Sequence, residues 1–323
     1  MPKKTAYLFP GQGAQFSGMA IDLLSSNAVK TLFDTASEIL GKDVKEMLQS
    51  DTDTLKRTDI SQPAITAANL AAVAFLSEKG FSPAACAGFS LGEYVALVCA
   101  GVIDTADCFR LVKARGQAMQ KTADRLREEA QQSSADDDSA APGMAAIVGL
   151  APEKVEELIT QWTAAGLKDL YAANINSSKQ LVVSGTAAAL AEAQIRFKEA
   201  GAKRAIRLQV AGPFHSPLMA EAAKEFAPVL EVIAFKDPVI PVFSNVTGRQ
   251  ITSGDEAKKF ALLQITSPVR WVEEQAAIAA SGIKVCFETG PGSVLQGLWR
   301  EVKNDIPVFA AGTIKNIEEL LLL

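Results

Sequence analysis

Short apolar runs alternate with longer stretches in which apolar positions recur every three to four residues, and the alternation continues through most of the chain. Runs of the first kind predict buried strands and stretches of the second kind predict helices; together they predict an α/β architecture with a largely parallel sheet. An opening strand over residues 5–9 ends in Phe9-Pro10-Gly11-Gln12-Gly13-Ala14-Gln15. Helical patterns follow over residues 30–50 and 61–79, the second rich in alanine and closing at Gly80. Pro83-Ala84-Ala85-Cys86-Ala87 is a small apolar run suited to a buried strand. Residues 93–100 read as a buried helix with an acidic first turn, and residues 106–121 as an amphipathic helix carrying Arg110, Lys113 and Arg115.

At residues 125–142 the pattern stops: Glu-Glu, Gln-Gln, Ser-Ser and Asp136-Asp137-Asp138 crowd together with few apolar residues, which predicts a solvated linker. A self-contained pattern follows. Strands are predicted over 145–150, 170–175, 180–185 and 203–208, with helices over 152–162 and 187–200. The order β-α-β-β-α-β is the split βαβ of ferredoxin-like folds, so residues 143–210 are expected to form a small domain inserted into a large one made of residues 1–124 and 211–323. The remainder predicts a helix over 219–230, strands over 239–243 and 284–288, and a turn at Gly290-Pro291-Gly292.

Composition narrows the class. With 323 residues, 48% of them hydrophobic, the chain can bury a sizeable core. A net charge of -5 and a pI near 5.2 leave no basic excess for wholesale nucleic-acid binding. The apolar stretch before Pro10 is too short for a signal peptide, and no later stretch reads as a bilayer span, so a cytoplasmic protein with no membrane partner is expected. Cys86, Cys99, Cys108 and Cys286 have no C-x-x-C spacing, so free thiols are expected rather than a metal site or a disulfide framework.

The chemistry centres on Gly88-Phe89-Ser90-Leu91-Gly92. G-x-S-x-G marks a nucleophile elbow, a sharp strand-to-helix turn that exposes a serine hydroxyl, and the flanking strand and helix come in the right order. Alone, three fixed letters also describe a glycine-rich loop with an incidental serine. A serine hydroxyl needs a base near neutral pH, and the chain has a single histidine, His215, in the proline-flanked stretch Gly212-Pro213-Phe214-His215-Ser216-Pro217. Asp104, Asp107 and Asp124 lie between the two, none at an obvious strand end, so no acid is assigned as a third member and a backbone carbonyl is the alternative. An oxyanion hole in such enzymes uses the N–H after the nucleophile, here Leu91, and one from an early loop, where Gln12 stands.

Six ordered motifs give the chain a resemblance. Phe9-Pro10-Gly11-Gln12-Gly13-Ala14-Gln15, Gly88-Phe89-Ser90-Leu91-Gly92-Glu93-Tyr94, Arg115-Gly116 followed by Met119-Gln120, Asn174-Ile175-Asn176-Ser177, Gly212-Pro213-Phe214-His215-Ser216, and Gln264 before Ser267-Pro268-Val269-Arg270-Trp271 resemble the malonyl-CoA:acyl carrier protein transacylases of fatty-acid and polyketide synthesis. The resemblance implies a hydrolase-like large domain with a ferredoxin-like insert. It implies ping-pong transfer through a malonyl ester on Ser90, with malonyl-CoA as substrate, acyl carrier protein as partner, no permanently bound cofactor, no metal, and a monomer. By the same resemblance His215 is the base, held by the backbone carbonyl near Gln264, and Arg115 grips the malonyl carboxylate, which suits the planar fork of a guanidinium. Asn174 and Asn176 match positions that contact the pantetheine arm, and Phe214 matches a bulky residue that leaves little room for a methyl branch. Phe89 departs from the pattern, which usually has histidine there, and the acidic 125–142 stretch looks longer than the family's usual link.

Two other classes share these residues. A serine esterase or thioesterase would use the same Ser90, His215 and oxyanion hole with water as acceptor; Arg115 discriminates, since hydrolases of neutral esters have no use for a buried guanidinium. A catalytically silent scaffold of the same fold is the third reading. For an acidic carrier a basic rim is expected, and Lys198, Lys203, Arg204 and Arg207 cluster in the small domain's pattern.

Overall fold

The computed structural model describes residues 4–133, 141–302 and 305–322. The chain opens with β1 (Thr5–Phe9), α1 (Asn27–Leu40), α2 (Val44–Leu48), α3 (Thr58–Glu78), β2 (Ala85–Gly88), α4 (Gly92–Cys99) and α5 (Thr105–Ser133). Next come β3 (Gly143–Val148), α6 (Pro152–Ala164), β4 (Leu170–Ser177), β5 (Gln180–Gly185), α7 (Ala187–Glu199) and β6 (Arg204–Arg207). It ends with α8 (Ala220–Glu231), α9 (Gly254–Leu263), α10 (Trp271–Ala280), β7 (Val285–Glu288), α11 (Val294–Arg300), β8 (Val308–Ala310) and α12 (Ile314–Leu320).

Two sheets result. The first has the order β2-β1-β7-β8 with every pairing parallel; its strands are short and apolar because helices cover both faces. The second has the order β4-β5-β3-β6 with every pairing antiparallel, the ferredoxin-like arrangement, and covers its own apolar core of Ile147, Val155, Leu181, Leu190 and Phe197. The chain is therefore an α/β protein with a parallel core sheet and a smaller antiparallel insert.

Several expectations are corrected. The helical pattern over 30–50 is two helices, because Gly41 adopts φ 68°, a left-handed conformation that ends α1. Residues 239–243 form isolated bridges instead of a strand: the Cys86 N–H donates to the Pro241 carbonyl at 2.8 Å and Phe243 N–H to the Cys86 carbonyl at 3.2 Å. Pro238 and Pro241 have no N–H to extend the ladder. Helix α5 runs on through residues 125–133, where Arg125 pairs with Glu129 and Glu221, so the first half of the expected linker is helical. Asp136-Asp137-Asp138 lie outside the described residues. Helix α3 is long and apolar enough to cross a membrane, contrary to the sequence expectation, but 78% of its apolar window is buried inside the structure. Its alanines let neighbouring helices approach, and it packs as a core helix.

A backbone seam ties the insert's sheet to the segment before α10. The Ile175 N–H of β4 donates to the Val269 carbonyl and Val269 N–H to the Ala173 carbonyl, both at 2.8 Å. The insert is thereby anchored beside residues 264–270, and the space between the sheets becomes a cleft.

Candidate active site

Ser90 stands where β2 turns into α4, and its backbone is left-handed at φ 51°. Such a conformation costs an L-residue about 1 kcal/mol or more and persists only where the surroundings enforce it. The glycines on either side are steric necessities: a Cβ on Gly88 would lie 2.0 Å from the Gly92 backbone, and one on Gly92 would lie 2.0 Å from the Phe9 carbonyl oxygen. The β1 loop presses equally close, since a Cβ on Gly11 would meet the Phe89 carbonyl oxygen at 2.3 Å. That contact sets the Gln12 backbone beside Leu91. Among the described residues none accepts a hydrogen bond from the N–H of Gln12 or Leu91.

The imidazole reaches the serine from the opposite wall. His215, itself at φ 57°, follows β6 in the strand-to-helix crossing that leads to α8. Ser90 Oγ and His215 Nε2 are 2.8 Å apart, and His215 Nδ1 is 2.9 Å from the Gln264 carbonyl oxygen. A carbonyl only accepts, so Nδ1 carries the proton and Nε2 presents its lone pair to the serine hydroxyl. Burial, with the Arg115 charge second, lowers the His215 pKa from 6.5 to about 4, so the ring is neutral at pH 7. Among the described residues no carboxylate holds the imidazole, and the observed geometry is the carbonyl alternative.

Arg115, on α5, is 1% exposed. Its Nη2 donates to Gln264 Oε1 at 2.9 Å and to Ser90 Oγ at 3.2 Å, and its guanidinium carbon lies 5.5 Å from the Tyr94 ring centre. The Nε N–H has no hydrogen-bond partner among the described residues. Nε and Nη2 are the parallel pair with which a guanidinium grips a carboxylate side-on. A buried cation that donates to the nucleophile and keeps an unpartnered Nε N–H is suited to an anionic acyl group.

A cavity of about 340 Å³ opens over Ser90. Gln12, Leu91, Arg115, Phe214 and His215 line its floor, and Asn174 and Asn176 from β4 line the side formed by the insert. Gln264 touches the site from behind, through its carbonyl and side-chain oxygens. Phe89 also lines the cavity, with its ring edge-on to Trp271 at 5.6 Å. Asn176 Oδ1 is buried without a partner among the described residues. Of the basic side chains read as a rim, Lys198, Lys203 and Arg204 are exposed, whereas Arg207 is half-buried with its guanidinium on the Ala141 carbonyl.

Sequence reasoning missed a buried polar cluster behind the elbow. Asn245 bonds the Ser90 N–H, the Gly88 carbonyl, Glu93 and Glu274. Burial raises the Glu93 pKa to about 7, opposed by the Asn245 N–H, Gln264 and Arg115, and it raises Glu274 well above the usual carboxylate range, helped by Glu93 and Glu273. No spacing in the sequence links residues 93, 245 and 274. Only Glu93, next to the elbow, was within reach of a motif.

The family model described as the acyl transferase domain matches residues 6–316. The malonyl CoA-acyl carrier protein transacylase of Bacillus subtilis is 37% identical over 317 residues, 98% of this chain and 95% of that protein. Among solved structures, an acyl carrier protein S-malonyltransferase from Vibrio cholerae is 37% identical with a TM-score of 0.88, covering 98% of this chain and 99% of that one. A malonyl-transacylase solved in complex with its type II polyketide synthase acyl-carrier protein is 35% identical with a TM-score of 0.88, covering 99% of each chain.

Proposed function

Because the chain belongs to the acyl transferase domain family, among its malonyl-CoA:acyl carrier protein transacylases, we propose that it moves the malonyl group of malonyl-CoA to the phosphopantetheine thiol of an acyl carrier protein through an ester on Ser90. The observation that carries this reading is the 2.8 Å contact between Ser90 Oγ and a neutral His215, with the buried Arg115 guanidinium 3.2 Å from the same oxygen. Nucleophile, base and anion receptor converge on one atom.

The first half-reaction begins as Ser90 Oγ attacks the thioester carbonyl and passes its proton to His215 Nε2. The Gln12 and Leu91 N–H groups receive the developing oxyanion. The carbon–sulfur bond then breaks, and the imidazolium returns the proton to the departing CoA thiolate. In the second half-reaction the carrier thiol gives its proton to His215 and attacks the ester, and Ser90 leaves with that proton. Arg115 holds the malonyl carboxylate through Nε and Nη2, so the charged acyl group stays anchored while the thiols exchange. Asn174 and Asn176 sit where a pantetheine arm would pass, and Phe214 bounds the acyl end. Lys198, Lys203 and Arg204 are the rim offered to an acidic carrier.

The separate antiparallel sheet, with an apolar cluster of its own, supports a catalytic unit of residues 1–124 and 211–323 with an insert at 143–210. A monomer is what the family resemblance implies, and the burial of α3 inside the structure supports a cytoplasmic protein without a membrane partner.

The test is intact-protein mass after brief exposure to malonyl-CoA, beside acetyl-CoA and methylmalonyl-CoA, for native protein, Ser90→Ala and Arg115→Ala. The expected result is a malonyl adduct on native protein alone, discharged by fatty-acid or polyketide carrier protein. Free malonate without an adduct would replace the transferase with a thioesterase, and neither adduct nor turnover would make the chain a silent relative.

A further inference from the structure

Beside the elbow, the chain around Pro241 and Phe243 runs along the open edge of β2 for one rung and then stops pairing through its backbone. At the next rung a parallel partner would offer a backbone donor to the Gly88 carbonyl. Asn245 turns its own N–H away, to Glu93 Oε2 at 2.7 Å, and puts its side-chain amide in the vacated position. Asn245 Nδ2 donates to the Gly88 carbonyl at 2.6 Å, and Asn245 Oδ1 accepts from the Ser90 N–H at 2.5 Å. The two bonded groups straddle Phe89, whose own N–H donates to the Phe9 carbonyl of β1 at 2.9 Å. The elbow is thus tied to β1 on one side and to a single side chain on the other.

We infer that Asn245 is a positioning residue for the acyl transfer: its carboxamide clamps the peptide groups on both sides of Phe89 and so holds Ser90 in the left-handed conformation that aims Oγ at His215 and Arg115. This inference rests on Ser90 being the nucleophile. Asn245 lines no part of the cavity and reaches the site only through the Gly88 and Ser90 backbone groups that it bonds.

The chemistry requires an amide. A carboxamide has one acceptor oxygen and a nitrogen with two hydrogens, and all are used: Oδ1 by Ser90, and Nδ2 by Gly88 and by Glu274 Oε1 at 3.0 Å. The Asn245 carbonyl in turn accepts from the Arg270 N–H at 2.9 Å. Asn245 is fully buried, so no water replaces a lost partner. Aspartate in its ionised form would set a second acceptor against the Gly88 carbonyl and a third carboxylate beside Glu93 and Glu274. The charged groups around it are Glu93 on α4, Glu274 and Glu273 on α10, and Arg115 on α5 through Glu93. Once protonated, an aspartate at this position again has one acceptor and one donor.

The experiment is single-turnover acylation by malonyl-CoA, read as adduct mass against time, for native protein, Ser90→Ala, Asn245→Ala and Asn245→Asp, with thermal unfolding of each. Asn245→Ala is expected to acylate about 100-fold more slowly, the loss that a misplacement of about 1 Å produces, with half-saturation by malonyl-CoA moved less than about threefold. Asn245→Asp is expected to be slow at pH 8 and to regain about tenfold on going to pH 5.5, while native protein does not speed up. A folded Asn245→Ala within about threefold of native, or an Asn245→Asp profile parallel to native, would overturn the inference. Should Asn245→Ala not fold, the Asn245→Asp profile decides alone. Native protein that forms no adduct would remove the nucleophile reading itself, a separate outcome from an intact rate in the variants.

Discussion

Arg115 Nη2 donates to Ser90 Oγ at 3.2 Å and to Gln264 Oε1 at 2.9 Å, and Gln264 also supplies the carbonyl that holds His215. One residue between α9 and α10 therefore couples the Arg115 guanidinium to the His215 imidazole. The guanidinium is charged without a carboxylate bonded to it, and the electrostatic cost of that burial is offset in part by Glu93 and the Tyr94 ring.

Arg115→Lys keeps the charge and loses the side-on fork. A charge-assisted hydrogen bond contributes about 2–3 kcal/mol, so malonyl acylation is expected to fall roughly 30- to 160-fold, while the slow acylation by acetyl-CoA changes little. Parallel adduct-mass time courses with the two thioesters measure this. Equal losses for both would mean that the arginine only maintains the fold around Ser90.

Two buried groups set opposing pH slopes. His215 has its pKa lowered to about 4, below the unfolded value near 6.5, so its contribution is complete above about pH 6.5 and is lost as pH falls toward 4. Glu93 is raised to about 7, so its contribution is complete below its unfolded value of 4.5 and is lost as pH rises through 7. Each spans roughly 3 kcal/mol at 1.36 kcal/mol per unit, and between about pH 4.5 and 6.5 they cancel. Glu93→Gln removes one slope and exposes the other. Urea unfolding of this variant is expected to show stability dropping by about 2–3 kcal/mol from pH 6.5 to 4.5 relative to native protein; curves that stay parallel would deny Glu93 its raised pKa.

The same imidazole fixes the pH profile of the reaction. With the base neutral down to about pH 4, acylation by malonyl-CoA is expected to be nearly level from pH 8 to 5 and to decline only below that. Quenched-flow adduct formation across that range checks it, and a midpoint near 6.5 would mean that the ring is solvated in the working enzyme.

The insert was legible in the sequence because each of its strands and helices buries its apolar face locally: the strand Gln180–Gly185 has the predicted bounds, and the other three strands overlap theirs. Ser90 and His215 were legible for different reasons, one from a turn that only glycines permit and the other because it is the chain's single histidine. Residues 239–243 misled because Val239, Ile240 and Val242 have strand composition, while Pro238 and Pro241 withhold the donors that a ladder needs. Asn245 and Glu274 were invisible for a deeper reason. Their role exists only across elements 29 to 157 residues apart in sequence, and neither periodicity nor motif records such contacts.

Phe214 is 5% exposed and lines the cavity next to His215, with its carbonyl held by Ser184 Oγ at 2.5 Å. Phe214→Ala opens space beside His215 and is expected to raise the ratio of methylmalonyl to malonyl adduct at least tenfold. Stability should fall by about 3–5 kcal/mol, the usual range for a buried Phe→Ala change. Competition between the two thioesters, resolved by adduct mass, gives the ratio; an unchanged ratio in folded protein would place the methyl-excluding contact elsewhere.

The exposed cations Lys203 and Arg204 stand at the start of β6, where Arg204 pairs with Val148 at the end of β3, whereas Arg207 is turned inward to the Ala141 carbonyl. Charge at an exposed rim acts mainly on encounter and is screened over about 8–10 Å at ordinary ionic strength. Lys203→Glu with Arg204→Glu is therefore expected to slow discharge of the malonyl enzyme by carrier protein about tenfold at low salt and to flatten its salt dependence. Formation of the adduct from malonyl-CoA should change less, because its slow step lies at Ser90. Arg207→Gln serves as the internal control: it removes a positive charge near the same strand but not from the rim, and it should leave the salt dependence of discharge as it is. If the double reversal and the control behave alike, the carrier approaches over another surface.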